Sequence, residues 1–407
     1  MFVVPMYGGT VIFMLRFMLK NRKFWLLLIL FTVPLILMVS APQAITLVGQ
    51  GATFPEPLIM EWIIHFQERY GNITVIYKGT GSGAGVKAIL SRTVDFAGSD
   101  APMKLSEWEE ANRKFGPIFH IPETMGGVAV VFNIPEVEEL NLSGDVLADI
   151  YLGRIEYWDD PRIVSLNPGV GLPHERIYVV KRADSSGTTY IFTDYLSHVS
   201  AEWASTIGKT KTFSFPGAIR DRGLTGYGNA GVAQIIQQVP YSIGYVEFAY
   251  AVKGELKTVA LRNKAGNFVK PSLETIAEAA KYASPLPDPE ESWHNVSIVN
   301  SPGENTYPIV SFTYILVYKY QDSPEICAAL KTWLRWILTE GQQYSERLLY
   351  PSLPQNIVEI GLSAVERLQT NISSEGCKFQ LCLIFPLFLV STGIENSSCG
   401  ERIGEDN

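Results

Sequence analysis

The chain is predicted to be an α/β protein with largely parallel sheets, because short β-branched runs alternate with amphipathic helical segments from Ile45 onward. Two further observations support that class. The turns from strand to helix are rich in Gly, Ser and Thr, and two strongly apolar stretches, Gly127 to Phe132 and Ile243 to Phe248, bracket a second α/β region from about 135 to 240. Strands that enter and leave an inserted domain in this way predict two lobes joined by two connections.

The elements follow in order. Ile45 to Val48 reads as a strand, and Leu58, Ile59, Trp62, Ile63 and Phe66 recur at helical spacing until Gly71 stops the helix. Ile73 to Tyr77 is a second strand, followed by a glycine loop and a helix carrying Val86, Ile89 and Leu90. Val94 to Ala97 is a third strand, and Ser106 with Glu109 has the spacing of a capping box at the start of the next helix. In the bracketed region a helix is expected around Val146 to Tyr151, a strand over Ile177 to Val180 and a helix from Thr188 to about Leu196. A strand over Ile309 to Ile315 and a helix from Cys327 to Leu338 then return to the first lobe.

Length and composition bound the function. The 407 residues suggest two domains, three at most. With 47% apolar and 18% charged residues the chain can build a large core, which excludes wholesale disorder. A net charge of −8, with no Lys/Arg-rich stripe outside the first 25 residues, argues against a nucleic-acid binder. Cys327, Cys377, Cys382 and Cys399 fit no zinc spacing and the five His are scattered, so no metal site is expected. The body holds one Cys and closes no internal disulfide unless the tail supplies a partner.

The N-terminus reads as an export segment. Lys20-Asn21-Arg22-Lys23 is a basic cluster, Phe24 to Val39 is apolar apart from Thr32, and Val39-Ser40-Ala41 offers small residues for cleavage. Retention as an anchor is the alternative, since Met1 to Phe17 is also apolar, and Met18 is a candidate start.

Four loops share one design, in which a strand ends, small or hydroxylated residues turn the chain and a helix begins. They are Gly51 to Pro55, Gly79 to Gly85, Gly98 to Pro102 and Arg182 to Thr188. A helix N-terminus presents unpaired N–H groups and about half a positive charge, so such loops suit an oxyanion. Each loop alone also reads as ordinary capping, Arg182 and Asp184 as a local ion pair, and Asp100 as a turn residue. Gly79-x-Gly81-x-x-Ala84 grazes a dinucleotide fingerprint but lacks a convincing acid about 20 residues on.

Taken together, the loops resemble the phosphate-binding protein of bacterial and archaeal high-affinity phosphate ABC transporters, the PstS family. The match runs from Val48-Gly49-Gln50-Gly51-Ala52-Thr53-Phe54-Pro55 to Tyr350-Pro351-Ser352-Leu353-Pro354. It includes Thr93 to Pro102, Ile150 to Asp160 and Ile243 to Glu247. The resemblance implies a periplasmic-binding-protein-like fold of type II: two lobes, each a mixed, mainly parallel sheet flanked by helices, joined by two crossover strands. Lobe I would hold residues 45–130 and 250–369 and lobe II residues 131–249, with 1–44 the export segment and 370–407 a tail outside the family pattern. That tail is either a genuine extension or read-through past the natural end.

By motif position the resemblance places phosphate between Ala52, Thr53, Phe54, Ser82, Asp100, Arg182, Ser186, Gly187 and Thr188, with Asp184 orienting Arg182. Asp100 would accept a proton from phosphate that sulfate lacks, and so disfavour the fully ionised competitor. The implied protein is a monomeric, non-enzymatic receptor without cofactor or metal. It would deliver phosphate to a membrane permease from the periplasmic or extracellular face. A surface phosphate sensor or adhesin of the same fold is the alternative, and a phosphatase-type hydrolase a weaker one, since no Gly-x-Ser-x-Gly elbow or nearby His supports it. Two departures from the family stand out: Gly83 where a hydroxyl is usual, and Ala230 where Gly-Asn-Asp-Gly carries an acid.

Overall fold

The computed structural model describes residues 44–283 and 285–371. The expected export segment, and the tail with Cys377, Cys382 and Cys399, lie outside the described residues. Among those described, no helix is long and apolar enough to cross a membrane.

The described residues begin with β1 (Ile45–Gly51), α1 (Glu56–Arg69), β2 (Ile73–Gly79), α2 (Ser82–Leu90), β3 (Phe96–Ser99), α3 (Leu105–Phe115) and β4 (Ile118–Asn133). It continues through β5 (Asn141–Leu142), α4 (Gly144–Leu152), α5 (Pro161–Val164), β6 (Tyr178–Arg182), α6 (Gly187–Val199), α7 (Ala201–Thr206), β7 (Gly223–Gly226) and α8 (Gly228–Gln238). Then come β8 (Ser242–Glu247), α9 (Phe248–Lys253), β9 (Lys257–Thr258), β10 (Ala260–Arg262), β11 (Phe268–Val269) and α10 (Leu273–Ala277). The last are β12 (Val310–Tyr318), β13 (Tyr320–Gln321), α11 (Pro324–Leu338), α12 (Gln355–Glu366) and β14 (Gln369–Thr370).

Among the described residues a nine-stranded sheet runs in the order β2-β1-β3-β12-β4-β8-β6-β7, with β9 also on β4, beside two small sheets, β11-β10-β5 and β13-β14. Parallel pairing is confined to its two ends, where β1 pairs β2 and β3, and β6 pairs β7 and β8. The middle is antiparallel, which corrects the expectation of a mainly parallel sheet in detail while the α/β class stands. The reason is β4. Its 16 residues pair with β12 over Ile118 to Gly127 and with β8 over Val128 to Asn133, so one strand belongs to both ends and its neighbours return alongside it. Fifteen of the 16 are buried, which explains why Gly127 to Phe132 reads as an apolar run without alternation, and the polar His120, Glu123 and Thr124 of the first half are buried as well.

Two local expectations shift. The third strand starts at Phe96; before it the Asp95 N–H donates to the Val48 carbonyl at 2.8 Å, while the Val48 N–H is taken by the Asp95 side chain at 2.7 Å in place of a backbone carbonyl. Helix α3 is capped at Lys104, whose N–H donates to Glu107 at 2.9 Å, so the acid that closes the box is Glu107 and Ser106 lies in the first turn. The pairing of β9 with Val131–Phe132 and of β10 with β5 sets residues 257–262 beside strands of the bracketed region. We therefore propose that the return to the first lobe comes after β11, later than the boundary at 249/250.

The core places the loops. Leu58, Ile59, Trp62 and Phe66 of α1 are buried, Phe66 meets Trp333 of α11 edge-to-face at 4.9 Å, and Trp62 donates to the Gly341 carbonyl at 2.7 Å. Burying each such side chain stabilises by about 1.5–3 kcal/mol. With α1 anchored, the segment Ala52 to Pro55 that leads into it is buried as well.

Candidate functional site

Parallel pairing at the sheet ends brings strand ends level: Gly51 lies opposite Gly79 and Gly98, and Arg182 opposite Gly226. Chain turns leave from these ends and four helices begin beside them, α1, α2, α6 and α8. Ser82 is the first residue of α2, Gly187 the first of α6, and the Ser186 hydroxyl caps α6 by accepting the Thr189 N–H at 3.1 Å. Their N-termini supply partial positive charge and N–H groups where ligands bind in α/β folds.

The two ends of the sheet meet here. The Gly83 N–H donates to the Ser185 carbonyl at 3.0 Å, and Arg182 Nη2 donates to the Thr53 hydroxyl at 3.3 Å. Thr53, Phe54, Ser82, Asp100, Arg182, Ser186, Gly187 and Thr188 are all buried. Thr53 accepts from both Arg182 and Asn229 Nδ2, each at 3.3 Å, which leaves its hydroxyl hydrogen available to donate. The Thr188 hydroxyl accepts from Arg182 Nη1 at 3.2 Å and donates to Asn229 Oδ1 at 3.3 Å. Arg182 grips Asp184 through Nε at 2.8 Å and Nη2 at 2.5 Å, a bidentate pair that fixes the guanidinium plane. The Gly228 N–H also donates to Asp184, at 3.1 Å.

The Thr53 and Phe54 amides are aimed by phenols. Tyr77 donates to the Ala52 carbonyl at 2.8 Å and Tyr250 to the Thr53 carbonyl at 3.0 Å. In a trans peptide the N–H points away from the carbonyl, so the Thr53 and Phe54 N–H groups face away from these tyrosines. Ala52 differs from its expected role, because its own N–H is engaged by the Gly98 carbonyl at 2.9 Å.

Asp100 is the unusual member. Its Oδ2 accepts the Ser82 hydroxyl at 3.1 Å, while Oδ1 is buried without a hydrogen-bond partner among the described residues. Burial raises this carboxyl to about 7, although Arg182, Ser82 and Lys211 pull it down. Two more buried carboxyls flank the junction. Glu123 occupies a bulge of β4 and has no ladder partner in β12, because Thr313 pairs with Thr124 and Tyr314 with Pro122. Burial pushes it up to about 8 against the 3.1 Å bond from Thr313. Glu247 ends β8 and is likewise raised to about 8 by burial, against bonds from the Ala249 N–H and Tyr350.

A raised carboxyl binds its proton more tightly folded than unfolded, so these three groups stabilise the fold fully below about pH 4. That contribution is lost as pH rises through 7 for Asp100 and 8 for Glu123 and Glu247. The anion-free protein is expected to lose up to about 1.4 kcal/mol per pH unit for each of them. Urea unfolding between about pH 5 and pH 8 checks this, and a midpoint that rises over the range would contradict it.

Sequence reasoning missed Asn229, Tyr77, Tyr250 and Lys211. Asn229 belongs to the Gly228-Asn229-Ala230-Gly231 segment, in which the departure from the family pattern is at 230; the structure buries Asn229 and exposes Ala230. Gly83 is explained by space. A β-carbon there would lie 2.0 Å from Ser185 Oγ, so Ser185 occupies the room that a second hydroxyl would need.

The PBP superfamily domain matches residues 39–340. PstS of Methanocaldococcus jannaschii, a phosphate-binding protein, is 43% identical over 341 residues, covering 81% of this chain and 87% of that one. The chain belongs to the PstS family. PstS of Pasteurella multocida is 39% identical over 78% of this chain and 89% of its own length. Family members are binding proteins, not enzymes. The fold agrees with solved structures: a high-affinity periplasmic phosphate-binding protein, PfluDING, superposes with a TM-score of 0.63 at 21% identity, covering 79% of this chain and 98% of that one. A human phosphate-binding apolipoprotein gives 0.65 at 20% identity over 77% and 92%. The periplasmic-binding α/β fold, with mixed sheets between helices, is thus shown from both directions.

Proposed function

We propose that this chain binds inorganic phosphate in the buried junction around Arg182 and hands it to the permease of a phosphate ABC importer. The observation that carries the reading is the pairing of opposites in one site. Helix N-termini, hydroxyls and Arg182 favour an anion, while Asp100 forbids one that cannot give it a hydrogen bond. Arg182, its formal charge balanced by Asp184, orients the anion more than it attracts it. Thr53, Phe54, Ser82, Ser186, Gly187 and Thr188 supply short-range donors, so the chain's net charge of −8 does not oppose binding. Beyond about 8 Å that field is screened.

Phosphate keeps a proton near neutral pH and can donate to Asp100 Oδ1, whereas sulfate would leave two charged acceptors in contact. The expected result for Asp100→Asn is a fall in phosphate-over-sulfate preference of about 100-fold or more, read by calorimetry with both anions and arsenate. Equal binding of phosphate and sulfate by the unmodified protein would sink the reading. Supporting export, residues 1–44 carry a basic cluster followed by an apolar run, and the relatives include periplasmic phosphate-binding proteins. We place the receptor outside the cytoplasmic membrane, as a monomer that is either released or held by that segment.

A further inference from the structure

We propose that Lys211 is a second cation of the anion site, set across the junction between the sheet ends, and that it holds the extra negative charge when the bound phosphate is a dianion. The inference rests on the phosphate reading above and extends it to a residue outside the family motifs.

Lys211 follows α7, and its carbonyl accepts the Ser186 N–H at 3.0 Å, so its backbone is tied to the turn that starts α6. Its side chain does not return to solvent. The residue is 6% exposed, and its Nζ is buried without a hydrogen-bond partner among the described residues. The groups that act on it come from the opposite side of the junction: Glu107 and Lys104 at the start of α3, and Asp100 after β3. His120 of β4 feels the Lys211 charge in turn. His120 Nε2 accepts the Met103 N–H at 3.0 Å, so this ring offers Lys211 no negative charge.

Burial pulls the Lys211 ammonium down from its ordinary pKa, with Glu107 and, less strongly, Asp100 acting against it, and an ammonium held there without a partner costs several kcal/mol unless a counter-charge arrives. A count of formal charge shows which one is needed. Arg182 and Asp184 form a bidentate pair with no net charge. Asp100 adds a negative charge once ionised, and the helix N-termini add only fractions of a positive one. Without Lys211 the site therefore has no net formal cation to set against an anion. Without it these side chains sum to −1 once Asp100 is ionised; with it they sum to zero, and the anion relieves both the unpartnered Nζ and the unpartnered Asp100 Oδ1.

The test is calorimetric titration of the full chain with phosphate at about pH 5 and about pH 8, on either side of the second ionisation of a phosphate group. The unmodified protein is expected to bind at least as tightly at the higher pH. Lys211→Met is expected to lose about tenfold or more in affinity at the higher pH and much less at the lower, and Lys211→Arg to stay near the unmodified value at both. An equal loss at both pH values, or none, overturns the proposal. Should Lys211→Met not fold, the unmodified protein still decides: a tenfold or greater weakening from the lower to the higher pH overturns it. Failure of the unmodified protein to bind phosphate at either pH would instead strike the phosphate reading itself.

Discussion

Arg182→Met is expected to weaken phosphate binding by about 4 kcal/mol, roughly a thousandfold, and to destabilise the fold by about 3–5 kcal/mol. The two losses have different causes and can be separated. Arg182 donates to Thr53, Thr188 and Asp184. Removing it takes from the anion the one guanidinium N–H that these bonds leave free and the partner that orients the Thr53 and Thr188 hydroxyls, and it leaves Asp184, 6% exposed in its side chain, without its counter-ion. The double variant Arg182→Met with Asp184→Asn removes that stranded charge. It should therefore recover most of the stability in urea unfolding while binding no better in calorimetry. If instead the double variant binds phosphate as tightly as the unmodified protein, Arg182 is a structural ion-pair partner and the site must lie elsewhere.

The contrast between those two losses reflects what the sequence could show. The local design of the loops was legible, because Gly, Ser and Thr between a strand and a helix have one physical use, satisfying or exposing a helix start. Ser82, Ser186 and Gly187 all stand at such starts. Asp100 was legible only through the family motif, since a carboxylate in a Gly-Ser-Asp-Ala-Pro turn reads equally well as a turn residue. Its burial, which gives it a chemical role, is a property of the assembled lobes. Residues that work across the junction gave no local signal. Tyr250 reaches back nearly 200 positions to Thr53, and Asn229 joins Thr53 to Thr188 from a helix whose pattern is otherwise unremarked. The parallel ends of the sheet followed from the strand–helix rhythm. The antiparallel middle did not, because β4 is one long buried strand that two different neighbours share; only its second half, Gly127 to Phe132, reads as apolar, while His120, Pro122 and Glu123 break the pattern of the first.

The same junction makes Gly187→Ala the most selective way to disable the protein. A β-carbon at this position would lie 2.4 Å from Ser82 Oγ, 2.5 Å from Asp100 Oδ2 and 2.6 Å from the Asp100 β-carbon. All three atoms belong to the loops opposite α6, so the clash is between the two sides of the site and not within either. Each side should fold normally, and alanine in the first turn of a helix should stabilise it by up to about 1 kcal/mol relative to glycine. The expected outcome is a melting temperature equal to or slightly above that of the unmodified protein. Phosphate affinity should fall by about 100-fold or more, since the donors of α2 and α6 can no longer reach one anion together. Small-angle scattering supplies the second readout: saturating phosphate should compact the unmodified protein and leave Gly187→Ala at its unliganded dimensions. Gly171→Ala, where a β-carbon meets nothing within 4 Å, is the matched control and should behave as the unmodified protein in all three measurements. A Gly187→Ala protein that binds phosphate normally and compacts with it would mean that the sides of the site approach less closely in solution, and Asp100 would then lack the enclosure on which its choice of anion depends.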